Sequence, residues 1–405
     1  MSDFYQHGTI ATLHRLADPD MRKLEQELVS TAQERPVALV LPSLYSELEG
    51  EALKLIVGEL AQVPYLAEII ISMNRMTAEQ FKLAKEFFKA LPQKYRIIWN
   101  DGPRMNKLYD RLKKEKLTAY QPGKGYNVWM AYGLVLTDER IRVVATHDCD
   151  ILSYHRDMLT RIVMPTAHQN LTYEYCKSYY TRVSDRMFGR VTRLFVFPLL
   201  RAMIKVAGPH PLLEFLNEFR YPLSGEFSIS TDLARAIRVP GDWGLEIGLL
   251  CEVYRNATVR RICQVDIGSN FEHKHQALGT VSRGGVSDGL LKMVADIARS
   301  LFRNLCSEGV QMTPAFMQSL GMTYERLAKE NIGRYADDAF INGLIFVRHE
   351  ESTAVEAFSE ALRTAQRDFM EVVGSSPYIP NWNRINSALP DFGAQLFEAV
   401  ELDNK

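Results

Sequence analysis

Four short runs of mostly apolar residues in the first 150 positions, each separated from the next by an amphipathic stretch, set the strongest limit on how this chain can fold. They lie at 36–44 (PVALVLPSL), 68–72 (EIIIS), 95–99 (YRIIW) and 142–146 (RVVAT). Their apolar residues are continuous rather than alternating, and the runs are too short for buried helices, so they fit strands covered on both faces. The stretches at 52–60, 77–91 and 104–116, and another running from the PGKG segment at 122–125 to about 136, repeat apolar residues at helical spacing. Such alternation predicts a parallel sheet built from right-handed strand–helix–strand units. Ligands of such sheets bind beyond the carboxyl ends of the strands. Pro42, Ser72 and Asp148 fall at those ends.

The remainder is organised differently. Positions 171–275 mix strand-like aromatic runs with a helix near 193–206, and from 282 onward helical spacing dominates at 289–306, 313–328, 353–373 and 387–399. The expected division is an N-terminal helical segment (1–35), an α/β half (36–150), a second half (151–281) and a helical C-terminal extension (282–405). With 46% apolar residues in 405, a large core can be buried. A formal net charge of −1 with intermixed signs gives no whole-chain reason to expect nucleic acid or an anionic membrane as partner. No apolar run has the length of a bilayer span, and positions 1–17 lack the apolar core of a signal peptide. Cys149, Cys176, Cys251, Cys263 and Cys306 form no CxxC pair, which reads as reduced thiols in a cytoplasmic protein.

Several short segments could carry chemistry. Asp148 and Asp150 are two apart at the end of a strand, so in extended chain both carboxylates point the same way. Hard oxygen donors suit Mg2+ or Mn2+, which bridges phosphate oxygens. Alone, such a pair is more often a solvated turn. The segment FEHKH at 271–275 follows a strand-like run and offers His273 and His275 to a metal or phosphate. Gly123-Lys124-Gly125, before a helix, presents an ammonium and backbone N–H groups to an anion, without the spacing of a P-loop or of GxGxxG. Gly189-Arg190-Val191-Thr192 combines a guanidinium and a hydroxyl suited to a small phosphorylated or carboxylated molecule. Glu226 and Glu246 sit beside glycines in apolar surroundings, where a carboxylate can bind hydroxyls or simply cap a helix. Trp243, just ahead of Glu246, could offer a stacking face.

Taken in order, these segments resemble the glucosyl-3-phosphoglycerate synthases and the related mannosyl-3-phosphoglycerate synthases, retaining glycosyltransferases of GT-A fold. The resemblance rests on PSLYSE (42–47), PGKG (122–125), DCD (148–150), GRVTRL (189–194), YPLSGEF (221–227), GLEIGLL (244–250) and QVDIGSNFEHKH (264–275). It implies an α/β, Rossmann-like nucleotide-sugar transferase core with a helical C-terminal extension. Glucose would pass from a nucleoside-diphosphate glucose to the 2-hydroxyl of 3-phosphoglycerate in a Mg2+- or Mn2+-dependent reaction. The donor could be UDP-glucose, GDP-glucose or GDP-mannose, and the protein a homodimer.

Residue by residue, the resemblance places Pro42, Leu44, Glu47, Ser72 and Lys124 at the sugar nucleotide. Asp150 and His273 would hold the metal, with Asp148 nearby toward the ribose or a metal-bound water. Gly189, Arg190, Val191, Thr192 and His275 would hold the acceptor, and Glu246 would bind the acceptor hydroxyl or donor sugar. The ISMN sequence after Ile70 departs from the family's acidic, Gly-rich strand end, and His275 stands where the glucosyl enzymes often have asparagine. A mannosyl enzyme using GDP-mannose, or one using free glycerate, is the neighbouring alternative. A nucleotidyltransferase lies further off, because PSLYSELEG is acidic where such an enzyme needs a basic, Gly-rich loop. Intact Asp148, Asp150, His273 and Glu246 speak against a non-catalytic binding protein.

Overall fold

The computed structural model describes residues 6, 8–17, 19–118, 122–268, 281–282, 285–286, 289–371 and 378–405. The four expected runs become β2 (Val37–Leu44), β3 (Leu66–Asn74), β4 (Tyr95–Trp99) and β5 (Val143–Thr146). Between them lie α2 (Glu51–Leu60), α3 (Ala78–Phe88), α4 (Pro103–Lys114) and α5 (Lys124–Val135). The start of α3 follows from its sequence: Thr77 and Gln80 form a reciprocal capping box that satisfies two helix-start N–H groups.

These strands belong to one eight-stranded sheet. It also contains β1 (Ala11–Leu13), β6 (Tyr175–Tyr179), β7 (Phe227–Ser230) and β9 (Ile262–Asp266), in the order β1-β9-β6-β7-β5-β2-β3-β4. A two-residue strand β8 (Val239–Pro240) lies outside the sheet and pairs with Tyr378–Ile379. Strand β2 shows why both faces are apolar: Ala38 and Val40 enter one core, while Val37, Leu39 and Leu41 enter the other. All five are fully buried, and full burial of a Val or Leu side chain contributes about 1.5–3 kcal/mol.

The sheet is mixed rather than wholly parallel, because β7 runs antiparallel to both β5 and β6. The cause is topological. The chain leaves β6 at the carboxyl edge, forms a π-helical turn (Val191–Val196), α7 (Phe197–Ala207) and α8 (Pro211–Glu218), and re-enters the sheet from that same edge. Both ends of this excursion therefore lie where the candidate residues gather. The N-terminal segment also differs from the helical expectation. Besides α1 (Met21–Glu34) it supplies β1, which pairs with β9 and ends the sheet on that side.

The C-terminal helices are α11 (Leu290–Ser307), α12 (Pro314–Ile341), α13 (Arg348–Glu371), α14 (Trp382–Ala388) and α15 (Phe392–Asn404). They continue the core rather than standing apart from it. Trp382 stacks on Trp129 of α5 with ring centres 4.5 Å apart, and its indole N–H donates to the Trp129 carbonyl at 3.0 Å. At the other sheet edge, the Asn404 side chain pairs with both backbone groups of Ile97 in β4, at 3.0 and 2.8 Å. That pairing closes an edge that would otherwise template association.

Candidate active site

Strand β5 delivers His147–Asp150 to the carboxyl edge, between β2 and β7. The His147 N–H donates to the Val40 carbonyl at 3.1 Å, so Pro42, Ser43 and Leu44 run alongside Asp148, Cys149 and Asp150. Beyond Leu44 the chain turns into a 3-10 helix, Tyr45–Glu49, that carries Glu47. On the other side Thr146 is in register with Phe227, which places Gly225 and Glu226 next to the acidic pair. The fit there is tight: a Cβ on Gly225 would lie 2.3 Å from Asp148 Oδ2. A glycine at 225 is what allows the carboxylate its position.

Two helix N-termini close on this edge. Lys124 is the first residue of α5, and Glu246 lies in the first turn of α10 (Leu245–Asn256). The Lys124 ammonium pairs with Asp148 Oδ1 at 2.7 Å and with Glu246 Oε1 at 3.0 Å. A lysine at a helix start opposes the positive end of the helix dipole, and the first turn of α5 carries no acid of its own. Broken local rules of this kind are expected at functional or strained sites. Burial works to remove the Lys124 proton, but Asp148 and Glu246 outweigh it and hold the amine well above the ordinary lysine range. The Lys124 side chain remains 32% exposed, against 21% for Asp148 and 11% for Glu246, so the triad lines an accessible surface. Gly125 lets α5 start here: a Cβ there would meet the Pro240 carbonyl oxygen at 1.9 Å.

Beneath the triad lies a polar layer. Lys177, fully buried in β6, donates to the Ser224 carbonyl at 2.7 Å. Burial pulls its amine down to about 8, against the attraction of Glu246 and Glu226. Glu226, also fully buried, accepts from Tyr180 Oη at 3.2 Å and from Ser224 Oγ at 3.0 Å. Tyr180 packs on Tyr221 with ring centres 4.6 Å apart, and Arg182 Nη1 donates to Tyr221 Oη at 3.4 Å. Asp150 is among the charges that hold the Arg182 proton against burial.

The Tyr221 hydroxyl also sits over Gly189, 3.3 Å from where a Cβ would be, and Gly189 has φ +73°. From there Arg190 leads into the π-helical turn, a geometry concentrated at functional sites. Val191 and Thr192 are buried within that turn. Arg190 is engaged by the C-terminal extension: its Nε pairs with Glu351 Oε1 and its Nη2 with Glu350 Oε2, both at 2.7 Å.

The structure thus brings Lys124, Asp148 and Glu246 into direct contact, with Pro42, Leu44 and Asp150 on the neighbouring strand ends. Ser72 stands apart. It is fully buried, donating to the Asn127 carbonyl at 2.9 Å and accepting from Asn100 at 3.0 Å. His273 and His275 lie outside the described residues. Among the described residues no three His, Cys, Asp or Glu side chains form a set that could hold a metal ion. Asp148 and Asp150 supply hard oxygen donors suited to Mg2+ or Mn2+, and completing a site from them needs a further donor. Sequence reasoning missed Lys177, Tyr180, Arg182 and Tyr221. The available signals were a lone lysine within the aromatic strand run YEYCKSYY and, for Tyr221, the YPLSGEF segment that it opens.

No family model matches the chain. It is 42% identical over 404 residues to a glucosyl-3-phosphoglycerate synthase of Persephonella marina, spanning 100% of this chain and 99% of that one. The chain belongs to the glucosyl-3-phosphoglycerate synthase family. A second member, from Methanococcoides burtonii, is 39% identical over 409 residues, spanning 100% of this chain and 98% of that protein. Among solved structures, the Mycobacterium tuberculosis glucosyl-3-phosphoglycerate synthase with Mn2+, UDP-glucose and phosphoglyceric acid matches with TM-score 0.52 at 22% identity, over 73% of this chain and 87% of that one. The mannosyl-3-phosphoglycerate synthase of Rubrobacter xylanophilus matches with TM-score 0.54 at 20% identity, over 75% and 83%. At these identities the two structures establish the shared fold.

Proposed function

We propose that this chain transfers glucose from a nucleoside-diphosphate glucose to the 2-hydroxyl of 3-phosphoglycerate, retaining the configuration at the anomeric carbon. The observation that carries the reading is the Lys124–Asp148–Glu246 triad at the carboxyl edge of the sheet. It belongs to a chain related over its full length to synthases of this name. The 36–150 half carries the donor, the 151–281 half carries the acceptor, and the 282–405 extension braces both.

Pro42, Leu44 and Glu47 form the wall against the base and ribose, while the buried Ser72 supports it indirectly by holding α5 through Asn127. A divalent ion, Mg2+ or Mn2+, would be held by Asp150 with Asp148 beside it and His273 as the further donor, and when bound it neutralises charge on the diphosphate. Lys124 exchanges part of its contact with Asp148 for a phosphate oxygen and steadies the charge that grows there as the sugar–phosphate bond breaks. Arg190, Thr192 and His275 hold the acid and phosphate groups of the acceptor, with Gly189 and Val191 shaping the turn. Glu246 accepts a hydrogen bond from the acceptor hydroxyl or donor sugar and fixes its orientation. The hydroxyl attacks from the face the diphosphate leaves, and its proton passes to the departing phosphate oxygen.

The test is nucleoside diphosphate release from UDP-glucose, GDP-glucose and GDP-mannose, each with and without 3-phosphoglycerate and with free glycerate. Release dependent on 3-phosphoglycerate and a glucose donor supports the proposal. Preference for GDP-mannose or for free glycerate would move the chain to the neighbouring alternative, and release that ignores every acceptor would end the transferase reading. No described helix is long and apolar enough to cross a membrane. A cytoplasmic homodimer completes the proposal, to be checked by fractionation and by mass in solution.

A further inference from the structure

The C-terminal extension reaches the acceptor side through two consecutive acids, Glu350 and Glu351, in the first turn of α13. Both pair with Arg190, but they are built differently. Glu351 is buried, with 6% of its side chain exposed, and its second oxygen accepts from Arg193 Nη2 at 3.1 Å. Arg193 is itself pinned by the Phe188 and Met187 carbonyls and lies over the Tyr335 ring, 4.8 Å from its centre. Glu350, by contrast, is half exposed, with Arg190 as its one ion-pair partner among the described contacts. Two guanidiniums and one buried carboxylate leave one positive charge, which Glu350 balances from the solvent side.

We propose that Glu351 is a positioning residue that aims Arg190, and that Glu350 is a displaceable stand-in for the anionic group of the acceptor. The proposal rests on the reading of Arg190 as an acceptor-binding cation. A carboxylate of 3-phosphoglycerate, or its phosphate, takes the Nη2 edge when Glu350 swings into solvent. Glu351 keeps Nε and prevents the guanidinium from following. The chemistry allows the exchange in one direction only. An exposed ion pair is weak and salt-screened, whereas breaking a buried one leaves an uncompensated charge. A phosphate carries more charge than a carboxylate and forms two parallel bonds with a guanidinium. The C-terminal extension thereby sets acceptor affinity without touching the donor.

The experiment measures KM for 3-phosphoglycerate, KM for the sugar nucleotide, kcat and melting temperature in Glu350→Gln, Glu351→Gln and Arg190→Lys. Glu350→Gln removes the competitor and should lower the acceptor KM about two- to fivefold, the span expected for an exposed pair. Glu351→Gln should raise the acceptor KM by roughly tenfold or more. Both should leave the donor KM as it was, and Glu351→Asp should recover part of the loss. A clasp that only holds the extension in place predicts lower melting temperatures with an unchanged acceptor KM. That result, or a rise in acceptor KM for Glu350→Gln, overturns the proposal. Arg190→Lys separates the role of Arg190 from that of the two glutamates. If it raises the acceptor KM while the glutamate variants do not, the role of Arg190 stands and this proposal fails. If it also leaves the acceptor KM unchanged, Arg190 itself loses its acceptor role.

Discussion

Substituting Gly225 with alanine tests whether the position of Asp148 matters to the chemistry. The added Cβ would lie 2.3 Å from Asp148 Oδ2, 2.6 Å from its Cγ and 2.9 Å from Oδ1, whereas ordinary contact begins at 3.4 Å. The carboxylate must therefore retreat by about 1 Å. Its bond to Lys124 is 2.7 Å long, and a shift of that size away from Lys124 is enough to take it beyond hydrogen-bond range. Misplacing a reacting constellation by about 1 Å costs on the order of 10²-fold in rate, equivalent to ~2.7 kcal/mol of barrier. Overpacking costs roughly 1–3 kcal/mol of stability, which a chain of this size should survive. Steady-state turnover of sugar nucleotide and 3-phosphoglycerate by Gly225→Ala should thus fall about a hundredfold, with the circular dichroism spectrum retained. Turnover within about threefold of the parent protein, in a folded variant, would refute the claim that the Asp148 position is needed.

Three other outcomes follow from the same site. Asp150→Ala should abolish divalent-ion-dependent turnover with the fold intact, measured in chelator and in added Mg2+ or Mn2+; full activity in chelator would remove Asp150 from the metal set. Gly125→Ala, whose Cβ would meet the Pro240 oxygen at 1.9 Å, should displace the start of α5 and lower both melting temperature and donor affinity; an unchanged donor KM would argue against Lys124 at the nucleotide. Lys177 provides a pH signature. Burial lowers its amine to about 8 from an ordinary 10.5, so between those values the unfolded chain binds more protons than the native one. Its contribution to stability should accordingly rise with pH from about 8 to 10.5, by on the order of 3 kcal/mol, with the full cost of burying the charge present below about 8. The stability difference between Lys177→Met and the parent chain should change by that amount across the window, and a pH-independent difference would show that the amine is not buried as described.

Much of the architecture was legible because parallel strands buried on both faces leave continuous apolar runs. The segments at 36–44, 68–72, 95–99 and 142–146 all became strands, and the acidic pair emerged at the carboxyl edge as expected. The reversed β7 was not legible. A four-residue strand carries no direction in its composition, and its orientation depends on where the 180–226 excursion returns. The burial of Ser72 was equally hidden, since strand-end position does not reveal that a neighbouring helix will cover the hydroxyl. Lys124, Asp148 and Glu246 are 122 residues apart at most, and only the fold shows that they touch. Lys177 escaped notice because a lysine in a strand reads as solvent-facing, whereas here helices cover both faces of the sheet.

Every role proposed for the site depends on glucosyl transfer to 3-phosphoglycerate with retention. That transfer is tested most directly by incubating the full chain with UDP-glucose or GDP-glucose, 3-phosphoglycerate and Mn2+ or Mg2+, and identifying the product by mass and by the NMR coupling of its anomeric proton. The expected product is an α-linked glucosyl-3-phosphoglycerate that forms only when both the acceptor and a divalent ion are present. A β-linked product would contradict the front-face mechanism, and free glucose as the sole product would contradict the acceptor assignment.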